Sequence, residues 1–131
     1  MPEKTSVDRL RIDDEYDIIE QDKTILDAAK LIKKTKLPDL VVVSSEEEKK
    51  VLGVISDFDI TTKVVAEGKN PATTKVTEAM YTVGPIALST TVEDAFKLLQ
   101  KHQVPLVPVV DNDQLVGVVT IQDVWSFIPE E

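Results

Sequence analysis

The sequence has no cysteine and only one histidine among its 131 residues. Without cysteine there is no disulfide framework, no thiol nucleophile and no Cys-ligated zinc or iron–sulfur centre. A single histidine leaves the usual metal cages and Ser-His pairs almost nothing to draw on. Because no other nucleophile–base or metal-binding constellation stands out, we expect that the protein is not an enzyme and holds no metal ion.

Glycine and basic residues are also scarce. The four glycines form neither a P-loop nor a Gly-x-Gly-x-x-Gly fingerprint, and 15 Lys and Arg face 24 Asp and Glu, for a net charge of −9. Phosphate backbones and anionic lipid repel such a chain, so we expect neither a nucleic acid nor a membrane as partner. The apolar runs, such as Leu40–Val43, are far shorter than the roughly 20 residues of a membrane helix. We therefore expect a cytoplasmic protein.

An internal repeat organises the chain. A shift of 67 positions aligns residues 24–43 with residues 91–110, and nine of the twenty aligned positions are identical. About one or two identities are expected by chance from average residue usage. A shift of 64 positions then aligns residues 51–60 with residues 115–124. We infer that the sequence is a duplication.

Each copy predicts the same order of elements, β-α-β-β-α. A short strand precedes an amphipathic helix that begins at a capping box, and a hairpin then leads to a second capping box and a second helix. Gly68 is expected to end the second helix of the first copy. We place the first repeat at residues 5–68, a linker at residues 69–74 and the second repeat at residues 75–128.

The second capping boxes carry a recognisable motif, Gly-aliphatic-aliphatic-Ser/Thr-x-x-Asp, between a strand and a helix. It occurs as Gly53-Val54-Ile55-Ser56 with Asp59, and again as Gly117-Val118-Val119-Thr120 with Asp123. With Leu106–Asp111 before the second hairpin, the pattern resembles the tandem CBS-domain pair, often called a Bateman module, over about residues 5–128. The resemblance implies an α/β (α+β) fold of two β-α-β-β-α repeats packed with pseudo-two-fold symmetry, as a stand-alone pair.

The resemblance also implies a regulatory module that binds adenosyl ligands, namely AMP, ADP, ATP or S-adenosylmethionine, in clefts between the repeats. AMP is the ligand we expect. In such families the Asp accepts hydrogen bonds from the ribose, the Ser/Thr contacts phosphate, and the backbone of the other repeat's first strand lies against adenine. Carried over, this gives one cleft with Ser56, Asp59 and the backbone of Val83, Gly84, Pro85 and Ile86. It gives a second cleft with Thr120, Asp123 and the backbone of Ile18 and Ile19.

Each of these features has a structural alternative. Ser/Thr-x-x-Asp is also a plain capping box, as the same spacing at Thr24/Asp27 and Thr91/Asp94 indicates. Gly84-Pro85 reads equally well as a turn before a strand. The protein could therefore be a structural or protein-interaction module with unoccupied clefts.

The positions that carry cations in many nucleotide-binding relatives lack them here, and Lys63 is only a distant candidate. We therefore expect AMP or adenosine to bind at least as tightly as ATP. We also expect a homodimer with Trp125, Phe127 and Ile128 at or near the subunit contact, because these apolar side chains follow one another at the end of the last helix. A regulated protein, not identifiable from the sequence, completes the expected partners.

Overall fold

The computed structural model describes residues 5–10, 12 and 16–125, the last of these by its backbone alone. The side chain of Trp125, with Phe127 and Ile128, lies outside the described residues, so the expected subunit contact stays a prediction. The elements in chain order are β1 (Asp17–Glu20), α1 (Ile25–Thr35), β2 (Asp39–Val43), β3 (Val51–Ser56), α2 (Asp57–Ile60), β4 (Ile86–Ala87), α3 (Val92–His102), β5 (Leu106–Asp111), β6 (Gln114–Thr120) and α4 (Ile121–Trp125). The β-α-β-β-α order therefore occurs twice, and the predicted mixed fold is confirmed.

Three shorter helical segments complete this list. A π-helical segment, Thr61–Val65, continues α2 directly, and 3₁₀ turns lie at Val7–Arg9 and Val76–Glu78. Gly68 adopts a left-handed backbone, with φ of 69°, in the turn that follows the π-helical segment. This is the conformation expected of a glycine after a helix end.

Each repeat forms its own three-stranded sheet. In the first sheet β1 lies parallel to β2, and β2 pairs with β3 as an antiparallel hairpin; β4, β5 and β6 repeat this arrangement. The register places Ser56 opposite Asp39 and Thr120 opposite Leu106. Since β1 and β2 run in the same direction, Ser56 lies at the sheet end where both of those strands begin.

The chain divides into two packing units, and each contains residues from both repeats. The first packing unit is residues 15–82, and the second is residues 1–14 with residues 83–131. The repeats predicted at 5–68 and 75–128 describe duplicated sequence, and as domain limits they stay a prediction. A sequence repeat and a packing unit are thus different divisions of this chain.

Each repeat opens with a lead-in segment, residues 5–10 and 12 in the first repeat and residues 75–82 in the second, and backbone hydrogen bonds show where each segment packs. In the second packing unit Val7 N donates to Thr90 O at 2.8 Å, and Val118 N donates to Ile12 O at 2.7 Å. In the first packing unit Val76 N donates to Lys23 O at 3.0 Å. The lead-in segment of each repeat therefore packs on the other repeat.

Each packing unit has its own apolar core. Ile25, Ala28, Leu40 and Val42 are fully buried in the first unit, and Val76 joins them from the lead-in segment. In the second unit the core comprises Val7, Leu10, Ile12, Val92, Ala95, Leu99, Val107, Val109, Val119 and Val124. The apolar faces of α1 and α3 are buried in these cores, as the helical spacing predicts.

The two motif glycines lie where the lead-in segments approach most closely. A Cβ on Gly53 would stand 2.6 Å from the carbonyl oxygen of Tyr81 and 2.7 Å from the sulfur of Met80. A Cβ on Gly117 would overlap the carbonyl oxygen of Ile12. Only glycine therefore lets the neighbouring backbone pair with the residue that follows it.

Within the described part of the chain, no helix combines the length and the apolar character needed to cross a membrane.

Candidate functional site

The first motif forms a capping box that is almost completely buried. Ser56 ends β3, and Asp59 lies in the first turn of α2. Ser56 N donates to Asp59 Oδ2 at 3.1 Å, Asp59 N donates to Ser56 Oγ at 3.1 Å, and Ser56 Oγ donates to Asp59 Oδ2 at 2.8 Å. The two residues are only 4% and 5% exposed. A carboxylate is thus held at this depth by a helix start and a hydroxyl.

Lys63 completes the surroundings of Asp59. Its Nζ lies 2.9 Å from Asp59 Oδ1 and donates to the carbonyl oxygen of Ala79 at 3.1 Å. The expectation that Lys63 is only a distant candidate for a phosphate contact stays a prediction, and the structure adds that its ammonium pairs with Asp59. The i,i+4 spacing within the sequence was the available signal for this contact.

The hydrogen-bonding capacity of Asp59 is not exhausted by these contacts. A carboxylate offers about four acceptor positions. Among the described residues, Ser56 N and Ser56 Oγ occupy two positions on Oδ2, and Lys63 occupies one on Oδ1. One position on Oδ1 therefore remains for a further donor.

Further negative charge lies around this motif. Asp39 begins β2 opposite Ser56 and is half-buried. Burial, followed by the charges of Asp57 and Asp59, raises the pKa of its carboxyl to about 6. The burial of Asp39 depends on the register of β2 with β3, so spacing along the sequence does not predict it.

The second motif repeats the capping box in a more exposed setting. Thr120 N donates to Asp123 Oδ2 at 3.2 Å, and Asp123 N donates to Thr120 Oγ1 at 3.0 Å. Both residues are half-buried. The two motifs therefore share their geometry and differ in burial.

The residues predicted to contact adenine lie at the first strands. Ile18 and Ile19 belong to β1, where they pair with Val41 and Val42 of β2. They also line an open groove of about 340 Å³ in the first packing unit, with Glu20, Lys23, Asp27, Lys30, Leu31, Lys34 and Glu46. The groove is large enough to hold part of a small ligand.

Val83, Gly84 and Pro85 form the approach to β4, and Ile86 begins that strand. Gly84 has φ of 88°, and a Cβ there would overlap Cγ2 of Val107. Both observations require glycine for structural reasons. They support the interpretation of Gly84-Pro85 as a turn, which the sequence left open.

Within single packing units, the structure brings together Ser56 with Asp59 and Thr120 with Asp123, as predicted. Each predicted cleft also needs the first strand of the other packing unit, and that pairing stays a prediction. The sequence missed the contact of Lys63 with Asp59 and the burial of Asp39. In the described ranges, no group of three or more His, Asp or Glu side chains is arranged to hold a metal ion.

Known proteins with similar sequences carry this arrangement as one part of a longer chain. The inosine-5'-monophosphate dehydrogenase of Bacillus subtilis is 28% identical over 108 residues, which are 82% of this chain and 21% of the enzyme. The chain thus spans about a fifth of the length of the first curated relatives it matches. The similarity is confined to that part of the enzyme.

Solved structures match nearly the whole chain. The CBS domain pair of protein MJ0100, in complex with 5'-methylthioadenosine and S-adenosyl-L-methionine, superposes with a TM-score of 0.78 at 26% identity, covering 95% of this chain and 96% of that one. A hexameric CBS-CP12 protein from bloom-forming cyanobacteria gives a TM-score of 0.78 at 26% identity, over 95% of this chain and 68% of that one. The CBS domain family itself matches twice, at residues 12–66 and 72–124, and the chain therefore belongs to the CBS-domain family as a tandem pair.

Proposed function

We propose that the protein is a regulatory module that binds an adenosyl ligand, with AMP as the first candidate. Asp59 and Asp123 accept the ribose hydroxyls, and Ser56 and Thr120 contact phosphate. The backbones of Val83, Gly84, Pro85 and Ile86, and of Ile18 and Ile19, lie against adenine in the two clefts between the repeats.

The state of Asp59 carries this proposal. Its carboxylate is 5% exposed, is held by Ser56, and retains one unused acceptor position among the described residues. A carboxylate with spare capacity is suited to a vicinal diol, because it only accepts hydrogen bonds and a diol donates two.

The comparison with protein MJ0100 supports the same ligand class. That CBS pair was solved with two adenosyl compounds and is 26% identical over nearly its whole length. The relatives that are enzymes match this chain over about a fifth of their length, so the proposed role is regulation rather than catalysis.

We include self-association as a homodimer and contact with a regulated protein in the proposal. Phe58 is 70% exposed and Val65 is 65% exposed, on the helix that follows the first motif. Contiguous exposed apolar side chains are typical of surfaces that contact another protein, and we assign Phe58 and Val65 to such a surface. We expect ligand binding to change the contacts between the two subunits or those with the regulated protein.

A thermal-shift screen over adenosine, AMP, ADP, ATP, S-adenosylmethionine and NAD tests the ligand class. A ligand that binds only the native state adds about 2.7 kcal/mol at a hundredfold excess over its dissociation constant. For a chain of this length the melting midpoint should then rise by about 10 °C. If no adenosyl compound moves the midpoint at saturation, the clefts are unoccupied and the structural module is the better account.

Three variants separate a ligand role from a cap role. Asp59→Ala and Asp123→Ala should weaken AMP binding about tenfold or more through the loss of a charge-assisted hydrogen bond. Asp94→Ala is the matched control, because Asp94 follows Thr91 at the same spacing at an exposed helix start, where Asp94 N donates to Thr91 Oγ1 at 3.1 Å, and neither residue lines the groove beside Ile18 and Ile19. All three variants should lose about 0.5–2 kcal/mol of stability. Equal AMP affinity in the three variants would show that the motif only begins a helix.

A further inference from the structure

Lys63 has a hydrogen-bonding capacity that its described contacts do not fill. An ammonium group carries three donors. One faces Asp59 Oδ1 at 2.9 Å and one faces Ala79 O at 3.1 Å. Its side chain is 43% exposed, whereas that of Asp59 is 7% exposed. Lys63 therefore connects a buried carboxylate to solvent and keeps a donor in reserve.

The acceptor count of Asp59 sets a condition on any ribose that binds it. A vicinal diol donates two hydrogen bonds, and Asp59 has one unused position. Either the Lys63 ammonium must release Oδ1 or the Ser56 hydroxyl must release Oδ2. A nucleoside has no anion that could replace Asp59 as the partner of the Lys63 ammonium or the Ser56 hydroxyl, whereas the phosphate of a nucleotide could do so.

The Lys63 ammonium matters for phosphate binding because the carboxylates around the motif repel an anion. Asp39 and Asp57 add to the charge of Asp59, and an incoming phosphate meets this potential. Lys63 is the cation that pairs with Asp59 among the described residues. A phosphate next to the ribose would take the reserve donor of Lys63, or attract the ammonium away from Oδ1 and so free that position for the diol.

We propose that Lys63 is a specificity-determining residue that makes the Ser56–Asp59 site prefer a nucleoside monophosphate to the unphosphorylated nucleoside. This rests on the proposed function and adds to it the basis of anion selection. Because Lys63 has one unused donor, it should strengthen binding through the first phosphate and add little affinity for further phosphates.

Calorimetric titration of the full chain with adenosine and with AMP at pH 7.5 tests the proposal. The wild type should bind AMP more tightly than adenosine. Lys63→Gln, which removes the charge and retains a donor for Ala79, should lower AMP affinity about tenfold and leave adenosine affinity unchanged or higher. Lys63→Met gives a second uncharged variant. Lys63→Arg keeps the positive charge and should therefore keep the preference for AMP.

Lys97→Met is the matched control. Lys97 pairs with Glu93 at the same i,i+4 spacing, at 3.3 Å, with both side chains exposed. This variant changes the net charge by the same amount as Lys63→Gln, so an unchanged AMP preference in it excludes a general effect of charge. The melting midpoint of each variant without ligand shows that it is folded.

The outcomes separate this proposal from the proposed function. If the wild type binds neither compound, the adenosyl function is overturned and the role of Lys63 with it. If the wild type binds both and Lys63→Gln leaves their affinity ratio unchanged, only the role of Lys63 is overturned. If Lys63→Gln weakens the binding of both compounds equally, Lys63 has a structural role, and the proposal is likewise overturned.

Discussion

Asp39 is the residue at which burial and charge conflict most clearly. Its carboxyl is half-buried at the start of β2, opposite Ser56. Burial, together with the charges of Asp57 and Asp59, raises its pKa from 3.8 to about 6. The folded protein therefore binds a proton at Asp39 more tightly than the unfolded chain does. At neutral pH the ionised carboxylate destabilises the fold.

Asp39→Asn should consequently stabilise the protein at neutral pH. The pKa shift corresponds to about 3 kcal/mol at full effect, and partial solvation reduces the expected gain to about 1–2 kcal/mol. Because the folded pKa is the higher one, the contribution of Asp39 to stability falls as pH rises from about 4 to about 6. Urea denaturation at pH 4.5, 5.5 and 7 should show the advantage of the variant growing and then levelling off above about pH 6.5.

Asp27→Asn provides a control of opposite sign. The pKa of Asp27 is lowered chiefly by the backbone hydrogen bond from Thr24, and then by the hydrogen bond with the Thr24 side chain. Its stabilising contribution is present above pH 3.8 and is lost below. This variant should be less stable than wild type by a constant amount between pH 4.5 and 7. A constant difference for Asp39→Asn as well would refute the role given to Asp39 burial.

For individual residues, the sequence predicts those contacts that depend only on spacing along the chain. Ser56 with Asp59 and Thr120 with Asp123 were found from Ser/Thr-x-x-Asp, because a capping box needs only neighbouring residues. The ion pair between Lys63 and Asp59 was not predicted, although the i,i+4 spacing of the two residues favours such a pair on a helix. The burial of Asp39 could not be found, since it follows from strand register and not from adjacent residues.

Among the elements, α1 shows how far local signals reach. Its capping box at Thr24 and Asp27 is confirmed by reciprocal hydrogen bonds of 3.0 and 3.2 Å. Two further amides at the helix start are satisfied by distant residues, since Ile25 N donates to Thr74 O at 2.8 Å and Leu26 N donates to Pro71 O at 3.0 Å. The segment predicted as a linker thus completes a helix start, which no local pattern could indicate.

The helix after the first motif departs from the predicted α-helical period. Thr61–Val65 is π-helical, and Ala66 N donates to Thr61 O at 2.9 Å. Apolar spacing cannot distinguish a single π turn from an α turn within so short a helix. The wider turn lies just where Lys63 reaches both Asp59 and Ala79.

The contact between β3 and the segment at Tyr81 yields a prediction for Gly53. Val54 and Tyr81 exchange backbone hydrogen bonds of 2.9 and 2.8 Å beside this glycine. In Gly53→Ala the new Cβ would meet the Tyr81 carbonyl oxygen at 2.6 Å, so the segment must move at a cost of about 2 kcal/mol. Hydrogen exchange should show the Tyr81 amide losing protection relative to the core amide of Val41.

Gly68→Ala serves as the control for this variant. Nothing lies within 4 Å of a Cβ at Gly68, and its φ of 69° makes the substitution unfavourable by about 1 kcal/mol. Tyr81 and Val41 should keep their relative protection in this variant. A similar result in Gly53→Ala would mean that the Tyr81 segment tolerates the added methyl group.

For the whole molecule, the exchange of lead-in segments is the feature that the sequence could not predict. The duplication itself follows from counting identities. Val7 and Val76 stand near the starts of the two repeats, and both are completely buried. Each would satisfy the local pattern on either copy, so the sequence repeat does not decide which copy it packs against. The folded chain places each on the copy that does not follow it.

Two fragments of nearly equal length test this organisation. A fragment of residues 15–82 retains the buried core residues Val76 and Ala79, and it keeps Thr74, whose carbonyl caps α1. A fragment of residues 5–68 lacks all three and carries Val7, which packs in the other unit. We therefore expect residues 15–82 to unfold cooperatively in a circular-dichroism melt, and residues 5–68 to show no such transition.

The magnitudes favour a clear difference between the fragments. Removing one buried valine forfeits about 1.5–3 kcal/mol, and the free energy of unfolding of a unit this small is only about 3–10 kcal/mol. Small units have little stability to lose because they bury a smaller share of their surface. If residues 5–68 melt as cooperatively as residues 15–82, the duplicated segments are independent folding units, and the exchanged lead-in contacts contribute little to either.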